Sequence, residues 1–206
     1  MHGTAIESFR RFNETYLSLL EKPKVVDIGS LSLNGEIKSE INPNAEYIGV
    51  DLIEGPNVDV VLKDPYKFPF EDNSINAIIS ISTFEHSEFF WLSYLEILRV
   101  LKPDGLLFLN VPSNGHFHRH DTDNWRFYPD SSVALKKWGI KNNYNPEVLE
   151  HFTLDQIGRD IWNDHVSVTI KDEKMKTNYP NRIIDKVGKF RNGRTDQSNE
   201  IINKTK

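Results

Sequence analysis

Three histidines stand at alternate positions in one short stretch of the chain, as His116, His118 and His120. In an extended segment alternate residues point to the same side, so the three imidazoles would share one face. An imidazole titrates near neutral pH, and it serves either as a proton acceptor or as a metal ligand. With Asp121 and Asp123 nearby, three interpretations are open: a metal site, a substrate-binding loop with a general base, or a loop held by ordinary hydrogen bonds.

A second group of polar residues follows three short apolar segments. Asp27 and Gly29 end the first segment, Asp51 ends the second, and Asp64 comes just after the third. A glycine at such a point lets a ligand approach the backbone where a Cβ would clash. An acidic residue roughly 20 positions later can accept hydrogen bonds from both hydroxyls of a ribose. Three carboxylates around one cleft favour a cationic or neutral ligand and would repel a dinucleotide.

The glycine and cysteine content excludes several other chemistries. Gly29 is followed by its next glycine only at Gly35, so the dinucleotide pattern G-x-G-x-x-G is absent. The chain also lacks G-x-x-x-x-G-K-[ST], which leaves ATP hydrolysis without its phosphate loop. It contains no cysteine, and this rules out disulfides, a thiol nucleophile and thiolate metal sites.

The elements that must position these residues alternate between short apolar runs and amphipathic stretches. Each apolar run is continuous, which indicates a parallel sheet covered by helices on both faces. Sheets of this kind bind ligands beyond the carboxyl ends of their strands, where the aspartates stand. The predicted strands are 24–28, 47–51, 58–62, 75–82, 106–111, 144–152 and 165–170, and the predicted helices are 4–20, 36–41, 89–101 and 131–138.

Charge is unevenly distributed along the 206 residues. Residues 171–206 contain 10 Lys and Arg against 5 Asp and Glu, a balance of +5, so the net −5 of the chain leaves −10 for residues 1–170. An acidic body disfavours nucleic-acid binding, which needs a cationic face. We expect no membrane span, a cytoplasmic location and no nucleic-acid partner for the body of the domain, and we leave a homodimer open.

Five motifs in order and at matching spacing resemble the class I S-adenosylmethionine-dependent methyltransferases, above all their small-molecule and sugar-modifying branch. They are residues 25–30, 49–51, 63–70, 78–86 and 96–105, within a match that spans 22–113. The resemblance implies an α/β, Rossmann-like fold with helices on both faces of a mostly parallel seven-stranded sheet, whose last strand is antiparallel. It places a single domain at 1–171, with an N-terminal helix 4–20, a cofactor-binding half 22–113, and the acceptor loop with the last strands at 114–171. A basic tail, 172–206, is expected to be partly helical near 182–190 or disordered.

The resemblance also implies a cofactor site for S-adenosylmethionine, with S-adenosylhomocysteine as product. Asp27 and Gly29 would flank the methionine moiety, and Asp51 would hold the ribose hydroxyls. In place of the usual D-x-G-x-G-x-G, residues 27–35 carry a loop with glycines at 29 and 35 only, so the backbone contacts there differ. The residues implied to bind the cofactor are Asp27, Gly29, Ser30, Asp51, Leu52, Asp64, Ser82 and Thr83.

For the acceptor, the resemblance implies methyl transfer to a hydroxyl of a small polar molecule, such as a sugar or a glycan end group. His118 or His120 is the predicted general base, and no metal is assigned. Asp130 is predicted to cap the helix that follows, as an alternative to a stacking role for its neighbours. The alternatives are N-methylation of a small amine and a non-catalytic nucleoside-binding module. The predicted substrate-binding residues are His86, His116, Trp125, Arg126 and Tyr128.

Overall fold

The computed structural model describes residues 3–31, 37–119, 121–155 and 161–205. Its helices are α1 (Gly3–Thr15), α2 (Phe90–Val100) and α3 (Ser131–Lys141), with short 3-10 segments at Leu17–Leu19, Lys38–Glu40 and Glu173–Asn178. Its strands are β1 (Lys24–Ile28), β2 (Glu46–Asp51), β3 (Val60–Val61), β4 (Ile75–Ile81), β5 (Leu101–Pro112), β6 (Glu147–Leu154), β7 (Asp164–Ile170), β8 (Phe190–Thr195) and β9 (Ser198–Lys204).

The strands form one sheet in the order β3-β2-β1-β4-β5-β7-β6-β8-β9. Strands β1 to β5 pair in parallel, and β7 lies antiparallel between β5 and β6. This confirms the mostly parallel sheet with an antiparallel seventh strand. The predicted strand number was wrong, because β8 and β9 continue the sheet beyond β6.

Successive residues of the central strands enter cores on opposite faces of the sheet. Val25 packs into the core that contains Phe9 and Phe12 of α1, whereas Val26 packs into the core that contains Ile97 and Leu98 of α2. Both faces are therefore dry, and this explains why the strands are continuous apolar runs. The predicted coverage by helices on both faces is confirmed.

The first helix ends five residues earlier than predicted, at Thr15. The buried ring of Tyr16 turns toward the sheet, where its hydroxyl donates to the carboxylate of Glu150 on β6. The same carboxylate accepts from the backbone N–H groups of Ile183 at 2.7 Å and Ile184 at 2.8 Å. A buried acid on β6 thus holds together the end of α1 and the segment after the last predicted strand.

The prediction of a helical or disordered tail was wrong. Residues 190–204 form the antiparallel pair β8 and β9, and no helix lies at 182–190. The buried Arg182 fixes this segment, since its guanidinium donates to Asp196 at 2.6 Å and to the carbonyl of Leu149 at 3.1 Å. Within the described residues, no helix has the length and apolar character needed to cross a membrane.

Candidate active site

A cavity of about 690 Å³ opens at the carboxyl ends of β1, β2 and β4. Seven of the eight predicted cofactor residues line it: Asp27, Gly29, Ser30, Asp51, Leu52, Ser82 and Thr83. Asp64 is exposed and lies outside the wall, although its neighbours Leu62 and Pro65 belong to it. Its carboxylate accepts from the backbone N–H of Tyr66 at 2.9 Å, and its contact with a cofactor stays a prediction.

Gly29 ends β1 in a conformation that favours glycine, with φ of +80°. A Cβ there would lie 2.1 Å from Oγ1 of Thr83. That hydroxyl donates to the carbonyl of Ile28 at 3.0 Å, so it fastens the end of β4 to the end of β1. The sequence suggested that Gly29 leaves room for a ligand, but in the structure the room beside it is filled by Thr83.

The carboxylate of Asp51 joins two loops at the mouth of the cavity. It accepts from the backbone N–H of Leu31, which follows β1, at 3.0 Å and from that of Leu52 at 2.7 Å. A carboxylate offers about four lone-pair sites, so these bonds orient Asp51 and leave capacity for hydroxyl donors.

Asp27 is a buried acid of the cavity wall, 5% exposed. Burial raises its pKa to about 7, and the charge of Asp51 adds to the rise, against a hydrogen bond of 2.8 Å from the Tyr47 hydroxyl. An uncompensated carboxyl beside a second carboxylate favours a cationic ligand. This region therefore fits the sulfonium and ammonium charges of S-adenosylmethionine.

Ser82, directly after β4, carries backbone strain at the floor of the cavity. Its φ of +51° lies in the left-handed region, which serine seldom adopts. The backbone N–H of Ser82 donates to the carbonyl of Asn110 on β5 at 2.9 Å, which holds the turn in place. Such strain clusters at ligand-binding sites of proteins.

Two of the predicted histidines, His86 and His118, lie on the cavity wall. Their ring centroids are 5.2 Å apart and the rings are nearly perpendicular. His116 is exposed and lies off the wall, although it shares with His118 a contact to Trp162. His120 lies outside the described residues, so its predicted role as a base stays a prediction. Trp162, a wall residue, was missed because no motif surrounds it.

Arg126 organises the loop after β5. Its guanidinium grips Asp123 with two hydrogen bonds, of 2.6 and 2.9 Å, and also donates to the carbonyl of His116. These hydrogen bonds hold the pKa of Asp123 well below its ordinary value. Arg126 was predicted to bind the acceptor, but the loop already engages the donors at both Nη1 and Nη2. Trp125 and Tyr128 also lie off the wall, and their acceptor contacts stay predictions.

Trp125 packs against Phe90 and Trp91, and its indole N–H donates to the carbonyl of Ser87 at 3.0 Å. The predicted side-chain cap by Asp130 was wrong, because its carboxylate makes no cap hydrogen bond and instead lies 3.6 Å from Arg194 on β8.

Glu85 is a wall residue that the assignment of roles from sequence left out. It is 1% exposed, and its Oε2 has no hydrogen-bond partner among the described residues. Burial raises its pKa to about 8. Its Oε1 lies 3.8 Å from Nε2 of His86. The signal was present as the Glu85-His86 pair after β4, but sequence alone did not reveal that the acid is buried beside the imidazole.

A metal ion has one candidate cluster among the described residues. His86, His118 and Asp123 each offer a ligand atom, and these atoms lie within 4.8 Å of one another. Arg126 occupies both oxygens of Asp123 and places a positive charge beside them, which disfavours a cation. No metal is assigned to the site.

Comparison with known proteins agrees with this geometry. A family model described as a methyltransferase domain matches residues 31–109. None of the curated proteins matches the chain. Among solved structures, 1,6-didemethyltoxoflavin-N1-methyltransferase of Burkholderia thailandensis, with bound 1,6-didemethyltoxoflavin and S-adenosylhomocysteine, shares 14% identity, with 82% of this chain and 79% of that chain covered and a TM-score of 0.60.

Two further structures show the same fold. The (4+2)-cyclase SpnF has 13% identity, coverage of 81% of each chain and a TM-score of 0.62. A possible histamine N-methyltransferase of Thermotoga maritima has 18% identity, with 82% of this chain and 92% of that chain covered and a TM-score of 0.54.

The strand order, the cavity with its two aspartates and the match of residues 31–109 to a methyltransferase domain agree with a class I methyltransferase that uses S-adenosylmethionine.

Proposed function

We propose that this enzyme methylates a hydroxyl of a small polar acceptor, such as a sugar or a glycan end group. The observation that carries the proposal is one continuous cavity that joins Asp27 and Asp51 to His86 and His118. One part of the space suits a cationic nucleoside, and the other offers imidazole groups that can take or give a proton.

When bound, S-adenosylmethionine supplies a methyl group on a cationic sulfur; transfer forms an oxygen–carbon bond, breaks the carbon–sulfur bond and leaves a neutral thioether and one proton. The chain must align the acceptor, exclude water and remove that proton. Asp27 and Asp51 are the residues expected to hold the cation and the ribose. Ser82 and Thr83 are expected to line the space beneath the sulfonium.

The wall near the histidines supports a polar acceptor. Asp121 and Thr122 belong to it, and Trp162 provides a flat ring beside His118. Sugars commonly combine hydrogen bonds at their edges with stacking on aromatic faces. A hydroxyl acceptor loses its proton during the transfer, and a histidine can accept that proton.

N-methylation of a small amine is the second candidate. Two of the similar structures carry the names of N-methyltransferases, although their low identity shows the fold alone. A neutral amine attacks before it loses a proton, so it has less use for two imidazoles on the wall. The name of SpnF shows that this fold also serves a cyclase, and a binding module is therefore the third outcome to test.

Transfer of label from radioactive S-adenosylmethionine to a panel of sugars, other hydroxyl compounds and amines tests the proposal. We expect label in hydroxyl compounds, and the same rate after chelator treatment. Label in amines alone would favour the second candidate. Absence of transfer, with retained binding of S-adenosylhomocysteine, would favour a binding module. The cytoplasmic location and the homodimer stay predictions.

A further inference from the structure

The two histidines of the cavity wall have different hydrogen-bond partners at Nδ1. A neutral imidazole carries its proton on one nitrogen and a lone pair on the other. The partner of Nδ1 therefore decides whether Nε2 can accept a proton or can only donate one. The identity of those partners, rather than the positions of the rings alone, separates the possible roles of His86 and His118.

Nδ1 of His86 lies in hydrogen-bond contact with the carbonyl oxygen of Thr122. A carbonyl only accepts, so the proton of the neutral ring lies on Nδ1 and Nε2 carries the lone pair. The backbone around this contact is fixed, since the carbonyl of His86 accepts from the Thr122 hydroxyl at 2.6 Å and from the Asn124 amide at 2.9 Å. The structure thus holds His86 in the tautomer that a base acting through Nε2 requires.

Nδ1 of His118 faces the opposite kind of partner. It lies 3.4 Å from Nη2 of Arg126, and a guanidinium only donates. Asp123 Oδ2 is also 3.4 Å from this nitrogen, but that oxygen already accepts from Arg126 at 2.9 Å and from the backbone N–H of His118 at 2.7 Å. Both hydrogens of Nη2 are also engaged at shorter distances, by Asp123 at 2.9 Å and by the carbonyl of His116 at 2.8 Å, so neither contact fixes the tautomer of His118.

We propose that His86, rather than His118, is the general base of the methyl transfer, because the fold fixes the tautomer of His86 alone of the two. The proton of the acceptor hydroxyl passes to Nε2 of His86 as the oxygen gains its methyl group, and the imidazolium later releases it to water. The role of His86 rests on the proposed function, whereas its tautomer does not. This assignment moves the base from the histidine stretch of residues 116–120 to the end of β4.

Glu85 is the positioning residue of this arrangement. Its carboxyl group is 1% exposed, and its Oε1 lies 3.8 Å from Nε2 of His86. Burial raises the pKa of this carboxyl to about 8, so above that pH it is ionised and stabilises the imidazolium that forms when His86 takes the proton. Replacement by glutamine removes this stabilisation while it keeps the shape of the side chain.

The tautomer of His86 can be measured without any acceptor. The full chain, labelled with ¹⁵N in histidine, is studied by long-range ¹H–¹⁵N correlation in the pH range where the ring is neutral. We expect the Nδ1–H form for His86, with its signals assigned by His86→Gln. The exposed His116→Gln is the matched control, and it should leave the His86 pattern unchanged. An Nε2–H form of His86 would overturn the proposal.

Kinetics with an acceptor from the panel test the roles. We expect His86→Gln to lower kcat by roughly 10²–10⁴-fold with little change in KM, and His118→Gln to lower kcat much less. Glu85→Gln should lower kcat mainly above about pH 8, where the carboxyl of the wild type is ionised. Retained binding of S-adenosylhomocysteine shows that each variant is folded. The reverse split between the histidines would contradict the assignment, whereas an absence of any turnover by the wild type would contradict only the proposed function.

Discussion

The protonation state of Asp27 should control how tightly the cavity binds a cationic ligand. Its carboxyl is buried, the hydroxyl of Tyr47 is its hydrogen-bond donor, and its pKa is about 7. Below that pH the carboxyl is largely neutral and must lose a proton before it can attract a cation. The affinity for a cationic cofactor should therefore increase as the pH rises through 7.

Calorimetry of S-adenosylmethionine binding at pH 6, in buffers that differ in ionisation enthalpy, measures this effect. We expect release of close to one proton per bound cofactor, with affinity rising up to about tenfold per pH unit below pH 7. Asp27→Asn should abolish the proton release. Tyr47→Phe removes a donor that lowers the pKa of Asp27, so it should move the change to higher pH. Equal affinity across this range for the wild type would refute the role of Asp27.

A substitution at Gly29 tests the contact through which Thr83 fastens the end of β4 to the end of β1. Gly29→Ala should lower the free energy of unfolding by roughly 2–4 kcal/mol, because the new Cβ meets Thr83 at a positive φ. With Thr83→Ala added, the double variant should lose less than the sum of the two single losses. Urea denaturation measures all three. Gly188→Ala is the control, since a Cβ there meets no described atom within 4 Å; additive losses at Gly29 and Thr83 would contradict this account.

At the scale of elements, β6 and β7 carry a buried pair of histidines beneath α3. The ring centroids of His151 and His165 are 5.5 Å apart, and Nε2 of His165 contacts the Ser132 hydroxyl at 2.6 Å. Burial lowers the pKa of His151 to about 4 and that of His165 to about 3. An unfolded histidine titrates near 6.5, so the unfolded chain binds more protons below that pH and the native state loses stability as the pH falls.

In the wild type, Asp27 and Glu85 oppose this loss of stability at low pH, because their raised pKa values let the native state bind protons. A comparison with a variant therefore isolates the contribution of His151. Relative to the wild type, His151→Gln should gain about 2 kcal/mol in free energy of unfolding between pH 7.5 and pH 5. The acids cancel in this difference, since both proteins contain them. Urea titrations at the two pH values measure it, with His116→Gln as the exposed control. An unchanged difference between the two pH values would show that His151 is not held neutral.

The secondary-structure elements could be predicted where the sequence pattern lies within the element itself. The apolar runs of β1, β2 and β4 could be recognised because each strand is buried on both faces, and the carboxyl-end rule then located Asp27 and Asp51. The contact of His86 with Thr122 joins residues 36 positions apart, and the bonds of Glu150 to Ile183 join residues 33 apart. Periodicity and spacing carry no signal for such contacts, so the role of His86 and the shape of the tail needed the structure.

At the scale of the whole molecule, the basic C-terminal segment is part of the sheet rather than an appendage. Two of its ion pairs differ in burial: Arg182 pairs with Asp196 within the segment, where both side chains are buried, and Arg191 pairs with Asp155 of the preceding chain, where both are exposed. Removal of one partner of a buried pair leaves an uncompensated charge in the interior. Exposed pairs contribute little, because water screens them.

These pairs give a matched comparison. Asp196→Ala should lower the free energy of unfolding by about 3–5 kcal/mol, whereas Asp155→Ala should change it by less than about 1 kcal/mol. Urea denaturation measures both variants. If Asp196→Ala were as mild as Asp155→Ala, the buried pair would not contribute to the fold of the segment.

The central claim is that the cavity between β1, β2 and β4 binds the cofactor through Asp51. Calorimetric titration with S-adenosylhomocysteine tests it most directly, on the wild type, on Asp51→Ala and on Asp185→Ala, a control at an exposed aspartate outside the cavity wall. We predict saturable heat for the wild type and for Asp185→Ala, and affinity at least about tenfold weaker for Asp51→Ala, as expected for the loss of hydrogen bonds to a charged group. Absence of heat with the wild type, or equal affinity for Asp51→Ala, would contradict the claim.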